Sequence, residues 1–196
     1  TCWTRRHVLW QSDLANRRPH PPLLQAATLP KGIIMTSSML RTAAILGLLS
    51  AVGPFAIDMY LPALPEIARN LGASVTATQG TITAFFIAFG VAQLAYGPWA
   101  DQSGRKLPLY TGLAIFVAAT LGCALSDSIG TLTFWRFVQG LGASAMMVVP
   151  RAIIRDMHTG HEATRLMAMV MLVISVSPML APLAGSGLIA IGDWRL

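Results

Sequence analysis

Two residues stand where a charge is costly. Asp58 and Arg136 interrupt the apolar stretches "SAVGPFAIDMYLP" and "TLTFWRFVQGLG". A charged side chain in the middle of a hydrocarbon layer costs about 2.5–3.5 kcal/mol on insertion scales, so each is a candidate for function. Burial raises a carboxylate pKa and a nearby guanidinium lowers it, so an acid in such a place can exchange protons as its access to water changes. Arginine itself does not deprotonate and serves as a fixed charge that tunes its partner. Plainer roles exist for both. Asp58 reads equally as an interfacial residue at a helix end, and Arg136 as a structural or snorkelling cation.

The remaining candidates for chemistry are thin. "HTGHE" (158–162) offers two histidines and one acid, too few for a recognisable metal set. Ser144 and Ser177 have no histidine within the apolar runs, which argues against a hydrolase. "GLGAS" (140–144) lacks the strand and helix that a nucleotide loop requires, so its small residues read as a place where helices approach. Cys2 and Cys123 are far apart and read as free thiols. Neither an enzyme nor a bound cofactor or metal is expected.

The elements that position Asp58 and Arg136 follow from composition. Hydrophobic residues make up 54% of the chain and charged ones 11%, with a mean hydropathy of +0.60, outside the range of soluble domains. No charge occurs from Leu71 to Ala100, from Leu107 to Ser126 or from Leu166 to Gly192. About 20 apolar residues suffice to cross a bilayer, so these runs exclude a soluble helical bundle. The fold class is all-α integral membrane, because backbone in lipid must satisfy its own hydrogen bonds. Spans are expected near 42–62, 77–98, 107–125, 130–151 and 166–191. "GDWRL" (192–196) then reads as the approach to a sixth, with Trp194 and Arg195 as interfacial anchors.

The net charge of +6 does not indicate nucleic acid. Residues 1–34 hold Arg5, Arg6, Arg17, Arg18 and Lys31 against Asp13, so most of the excess lies in a polar leader. That leader has no apolar core and does not read as a secretory signal. Beyond it, Arg41, Arg105, Lys106, Arg151, Arg155 and Arg165 fall on one side of the spans, and Arg69 and Arg195 on the other. The positive-inside rule therefore places the N-terminus of the first span in the cytoplasm. Asp58 lies 17 residues beyond Arg41, and Arg136 lies 15 residues before Arg151. At 1.5 Å per residue both sit roughly 22–25 Å from the inner edge, facing a common cavity where they are expected to interact directly or through water.

With that orientation, "GPWADQSGRKLPLY" (97–110) is a cytoplasmic turn between the second and third spans. Gly97 and Gly104 would permit a tight turn, and Asp101 would favour the N-terminus of the following helix. Gly97, Trp99, Ala100, Asp101, Gly104, Arg105 and Lys106 also resemble the loop motif of the major facilitator superfamily, with Gln102 in place of the usual arginine. "AIDMYLPALPEIARNLGAS" (56–74) resembles the first span of its drug:proton antiporters, of the bicyclomycin and chloramphenicol exporter type. In "FWRFVQGLGASAMMVVPRAIIRD" (134–156), Arg136, Gln139, Gly140 and Gly142 match their fourth-span motif. "SVSPMLAPLAGSGL" (175–188) resembles their fifth-span antiporter motif through Pro178, Pro182 and Gly185, with Ala181 in place of a glycine.

The resemblance covers residues 40–196 and implies the N-terminal half of a major facilitator fold in the inner membrane. It implies a proton-coupled efflux antiporter working by alternating access, for small amphipathic compounds including antibiotics. Asp58 and Arg136 would couple protons to export. Gly97, Asp101, Gly104, Arg105 and Lys106 would form a cytoplasmic gate that pairs with the other half of the transporter. Such a protein needs no cofactor beyond the proton gradient, and its partners are lipid, protons, substrate and a second half. The alternatives are an importer or uniporter of a small metabolite with the same loop, and an inactive or regulatory membrane fragment. Domains are expected at 1–34 (leader) and 35–196 (half-domain). Translation is expected to start at Met35, where "MTSSMLRTAAILGLL" leads into the first span. Peptide mapping of the cell-made protein should find no peptide from residues 1–34; finding one refutes that start.

Overall fold

The computed structural model of the chain describes residues 37–195. The expected leader, the expected start at Met35 and Cys2 lie outside the described residues. Helices follow in the order α1 (Ser37–Asp58), α2 (Leu64–Asn70), α3 (Val75–Ser103), α4 (Lys106–Ala124), α5 (Ile129–Met157) and α6 (Gly160–Ile191), with a short 3₁₀ turn at Leu61–Ala63 before α2. Five segments are long and apolar enough to cross a membrane, as expected: α1 with its extension through α2, then α3, α4, α5 and α6.

Local sequence explains the boundaries. Pro62 and Pro65 sit in the first turns of the 3₁₀ turn and of α2, where a missing N–H is harmless. Pro62 has no N–H to give the Asp58 carbonyl four residues back, so α1 stops at Asp58 rather than at residue 62. Ser74 caps α3 by accepting from the Ala77 N–H at 3.2 Å. Ser128 and Thr131 cap α5 reciprocally.

α3 and α5 are each 29 residues long. At 1.5 Å per residue that is about 43 Å, longer than a hydrocarbon core of about 30 Å, so both helices overrun the core. Asp101 and Asp156 ride on these overhangs. Gly97 therefore lies inside α3 and not in the turn, and no atom stands within 4 Å of where its Cβ would be. The turn is made at Gly104, whose φ of +79° is the left-handed region that glycine adopts freely. Asp101 does not cap α4 either. It occupies the last turn of α3, where the helix dipole disfavours a carboxylate and a cationic partner is needed.

α5 is the central helix, packed along α3 and α4 and more lightly against α1, while α1 packs chiefly on α6. With lipid on the outside there is no hydrophobic drive between helices, so close backbone approach must supply the packing. "GLGAS" does this on two sides. A Cβ on Gly140 would strike the Phe85 carbonyl of α3, and one on Gly142 would lie 2.6 Å from both the Gly112 carbonyl and the Phe116 nitrogen of α4. Across α6, Gly185 abuts the Met59 carbonyl, whereas Gly187 faces open space.

Gly142→Val should lower the thermal midpoint of the full-length protein in detergent, at a cost of about 1–3 kcal/mol for overpacking. Gly187→Ala should leave it unchanged. Equal midpoints for the two variants would show that α4 and α5 do not need this approach.

Candidate functional site

Two constellations emerge, one deep in the bundle and one at the end of the overhangs. The deep one is built on Arg136, which α5 holds 7% exposed. Its guanidinium carbon lies 3.4 Å from the centre of the Tyr60 ring. Nη1 donates to the Ala56 carbonyl at 3.4 Å and to Gln139 Oε1 at 3.1 Å. Gln139 Nε2 in turn donates to Thr120 Oγ1 of α4 at 2.8 Å, and the Tyr60 hydroxyl pairs with Thr81 Oγ1 of α3 at 2.8 Å. Arg136 Nε is buried without a partner.

This arrangement follows from where α1 ends. The last carbonyls of a helix lack intrahelical donors and carry the negative end of its dipole. The Tyr60 N–H turns back to Ile57, so the Ala56 carbonyl is left for Arg136. The Tyr60 ring, placed two residues past the helix end, covers the guanidinium with its electron-rich face. Among the described residues no carboxylate lies within 4.0 Å of Arg136. The cation is held by dipoles and a ring.

Arg136 and Gln139 face a cavity of about 480 Å³ bounded by α1, α4, α5 and α6, with Phe55 and Phe116 among its apolar lining. Asp58 does not line it and makes no ion pair among the described residues. The direct Asp58–Arg136 contact expected from depth is thus not formed. Depth from helix rise brought them to one level, since Ala56 and Tyr60 flank Asp58, but Arg136 reaches backbone and ring instead.

The second constellation joins the overhangs. Arg105 Nη1 donates to Asp101 Oδ1 at 2.7 Å, Nε to Asp156 Oδ2 at 2.7 Å and Nη2 to Asp156 Oδ1 at 3.3 Å. The fork on Asp156 is bidentate, the geometry that guanidinium and carboxylate share best. Hydrogen bonds to Asp156 first and Asp101 second hold Arg105 above its already high range. Among the described residues the α3–α4 turn is thus partnered by the end of α5. Lys106 opens α4, exposed and outside this set.

In α6, Pro178 is exposed, Pro182 half-buried and Gly185 buried against Met59. Sequence reasoning missed Tyr60, Thr120 and Asp156. Thr120 is one of few polar residues in an apolar run and Asp156 the one acid of "RAIIRD", signals that single them out without naming a partner.

A bundle with five helices long and apolar enough to span a membrane among the described residues, a buried cation and a charge-paired turn at one end has the architecture of a polytopic membrane protein. The sequence profile of the Major Facilitator Superfamily matches residues 46–196, and the chain belongs to that family. It is 43% identical over 150 residues to the uncharacterized MFS-type transporter YdgK of Bacillus subtilis, covering 76% of this chain and 37% of that one. It is 34% identical over 150 residues to a bicyclomycin resistance protein homolog of Haemophilus influenzae (76% and 38%). With a chloramphenicol resistance protein of Pseudomonas aeruginosa it shares 32% over 163 residues (81% and 38%). The chain spans well under half the length of these relatives.

Tyr60→Leu should destabilise the full-length protein by about 1–2 kcal/mol more than Tyr60→Phe, because phenylalanine keeps the ring face. Thermal unfolding in detergent decides this, and equal losses would mean that the ring does not hold the cation.

Proposed function

We propose that residues 35–196 form the N-terminal half, short of most of a sixth helix, of a twelve-span proton-driven exporter of small amphipathic compounds. It sits in the inner membrane with its N-terminus in the cytoplasm, and the proton gradient is its energy source. The observation that carries this reading is Arg136, buried in the bundle and with no carboxylate within 4.0 Å among the described residues. A cation in such a place is costly enough to imply that its field is used. The relatives named for bicyclomycin and chloramphenicol resistance support efflux of compounds of that size.

In this reading Asp58, at the end of α1 and beside the carbonyl that Arg136 holds, takes a proton from the outer side and releases it inward as the halves rock. Arg136 stays charged, favouring release and opposing proton leak. Gln139 holds the guanidinium, and Gly140 and Gly142 hold α5 against its neighbours. Asp101, Arg105 and Asp156 lock the inner end in one of the two states, with Gly97, Gly104 and Lys106 completing that gate toward the second half. Pro178, Pro182 and Gly185 shape α6 as a seal against leak.

Asp58→Asn in the full-length transporter should abolish substrate-induced proton release from energised everted vesicles while leaving substrate binding within about threefold, since a neutral isostere keeps the fold. Undiminished proton-driven efflux sinks the coupling role.

A further inference from the structure

The inner end of the bundle carries more positive charge than its own acids balance. Arg41, Arg105, Lys106, Arg151, Arg155 and Arg165 stand there against Asp101, Asp156 and Glu162. Arg105 takes both aspartates, and Glu162 pairs with His158 at 3.1 Å. Among the described residues Arg41, Arg151, Arg155 and Arg165 make no ion pair within 4.0 Å, although Asp156 lies in the field of Arg155.

The packing brings together the helix ends that carry these four arginines. Ala43 of α1, Ile154 of α5 and Leu166 of α6 form one buried cluster that Met39 joins. Arg41, Arg155 and Arg165 each stand one or two positions from a member of it. Arg151 lies one turn before Arg155 on α5, and its Nε is buried without a partner. Trp99, stacked on Tyr96 near the same end of α3, marks the depth of the membrane–water interface. The arginines therefore lie near headgroup depth, and a guanidinium fork matches phosphate oxygens.

We propose that Arg41, Arg151, Arg155 and Arg165 bind the headgroup phosphates of acidic phospholipids at this end of the bundle. A soluble anion would need the rim alone. Here the rim continues into exposed apolar side chains suited to acyl chains: Leu40 and Ile45 on α1 and Leu172 on α6, each more than half exposed. Basic residues gathered between helix ends at the cytoplasmic face hold acidic headgroups in this way.

The test is lipid retention by the full-length transporter, read by native mass spectrometry after exchange into mixed micelles of phosphatidylglycerol and phosphatidylcholine. Phosphatidylglycerol should be retained several-fold over phosphatidylcholine, and excess inorganic phosphate should not displace it. R151Q/R165Q should lose most of the preference and R151K/R165K should keep most of it. Equal retention of the two lipids by the unmodified protein overturns the proposal, as does a preference unchanged by the glutamine pair or displacement by inorganic phosphate. Should the glutamine pair fail to fold, the lipid ratio and the phosphate arm on the unmodified protein decide the matter.

Discussion

A guanidinium held 7% exposed inside a helical bundle is the constraint around which this chain is arranged. Arg136 cannot shed its charge, and no carboxylate among the described residues neutralises it. The compensation comes from distributed dipoles: the loose carbonyl of Ala56, the amide of Gln139 and the face of Tyr60. Each comes with a structural requirement. The carbonyl is free because α1 breaks at Asp58, the ring is in reach because the chain turns there, and Gln139 is oriented by Thr120 of α4. A partner that is all dipole leaves the net charge in place, so its field extends to whatever enters the neighbourhood.

The glycines answer a related requirement. Polar groups on α5 can reach α1 and α4 only if the helices lie close, and in lipid close approach is also the main source of packing energy. Gly140 and Gly142 face α3 and α4 one to two helical turns beyond Arg136. One stretch of α5 thus sets both the depth of the cation and the spacing of the helices that satisfy it. Gly185 does the same for α6 against Met59, next to the break in α1.

Much of this was legible in the sequence. Uncharged runs locate spans because lipid tolerates little else, and the five expected ones match five helices long and apolar enough to cross a membrane among the described residues. What hydropathy cannot tell is a loop from a helix that continues into water. Asp101, Arg155 and Asp156 looked like loop residues for that reason, and Gly97 was taken for a turn when it lies within α3. The neighbourhood of Arg136 was legible as a depth and not as a set of contacts. Its partners include a backbone carbonyl, which has no letter in the sequence, and a tyrosine whose role depends on how the chain bends after Asp58.

α5 joins the two constellations mechanically. Arg136 and Asp156 lie on one continuous helix about 20 residues apart, roughly 30 Å at the usual rise. Pro150 lies between them and removes one backbone hydrogen bond, yet the helix runs on through it, so a tilt of α5 displaces the cation and the Asp156 carboxylate together. The Arg105 fork on Asp156 fixes one end of that lever from the α3–α4 turn. At the other end, Tyr60 and Ala56 fix it from the break in α1. One helix thus carries both sets of contacts, and whatever moves α5 acts on the Tyr60 and Ala56 contacts at one end and on the Arg105 fork at the other.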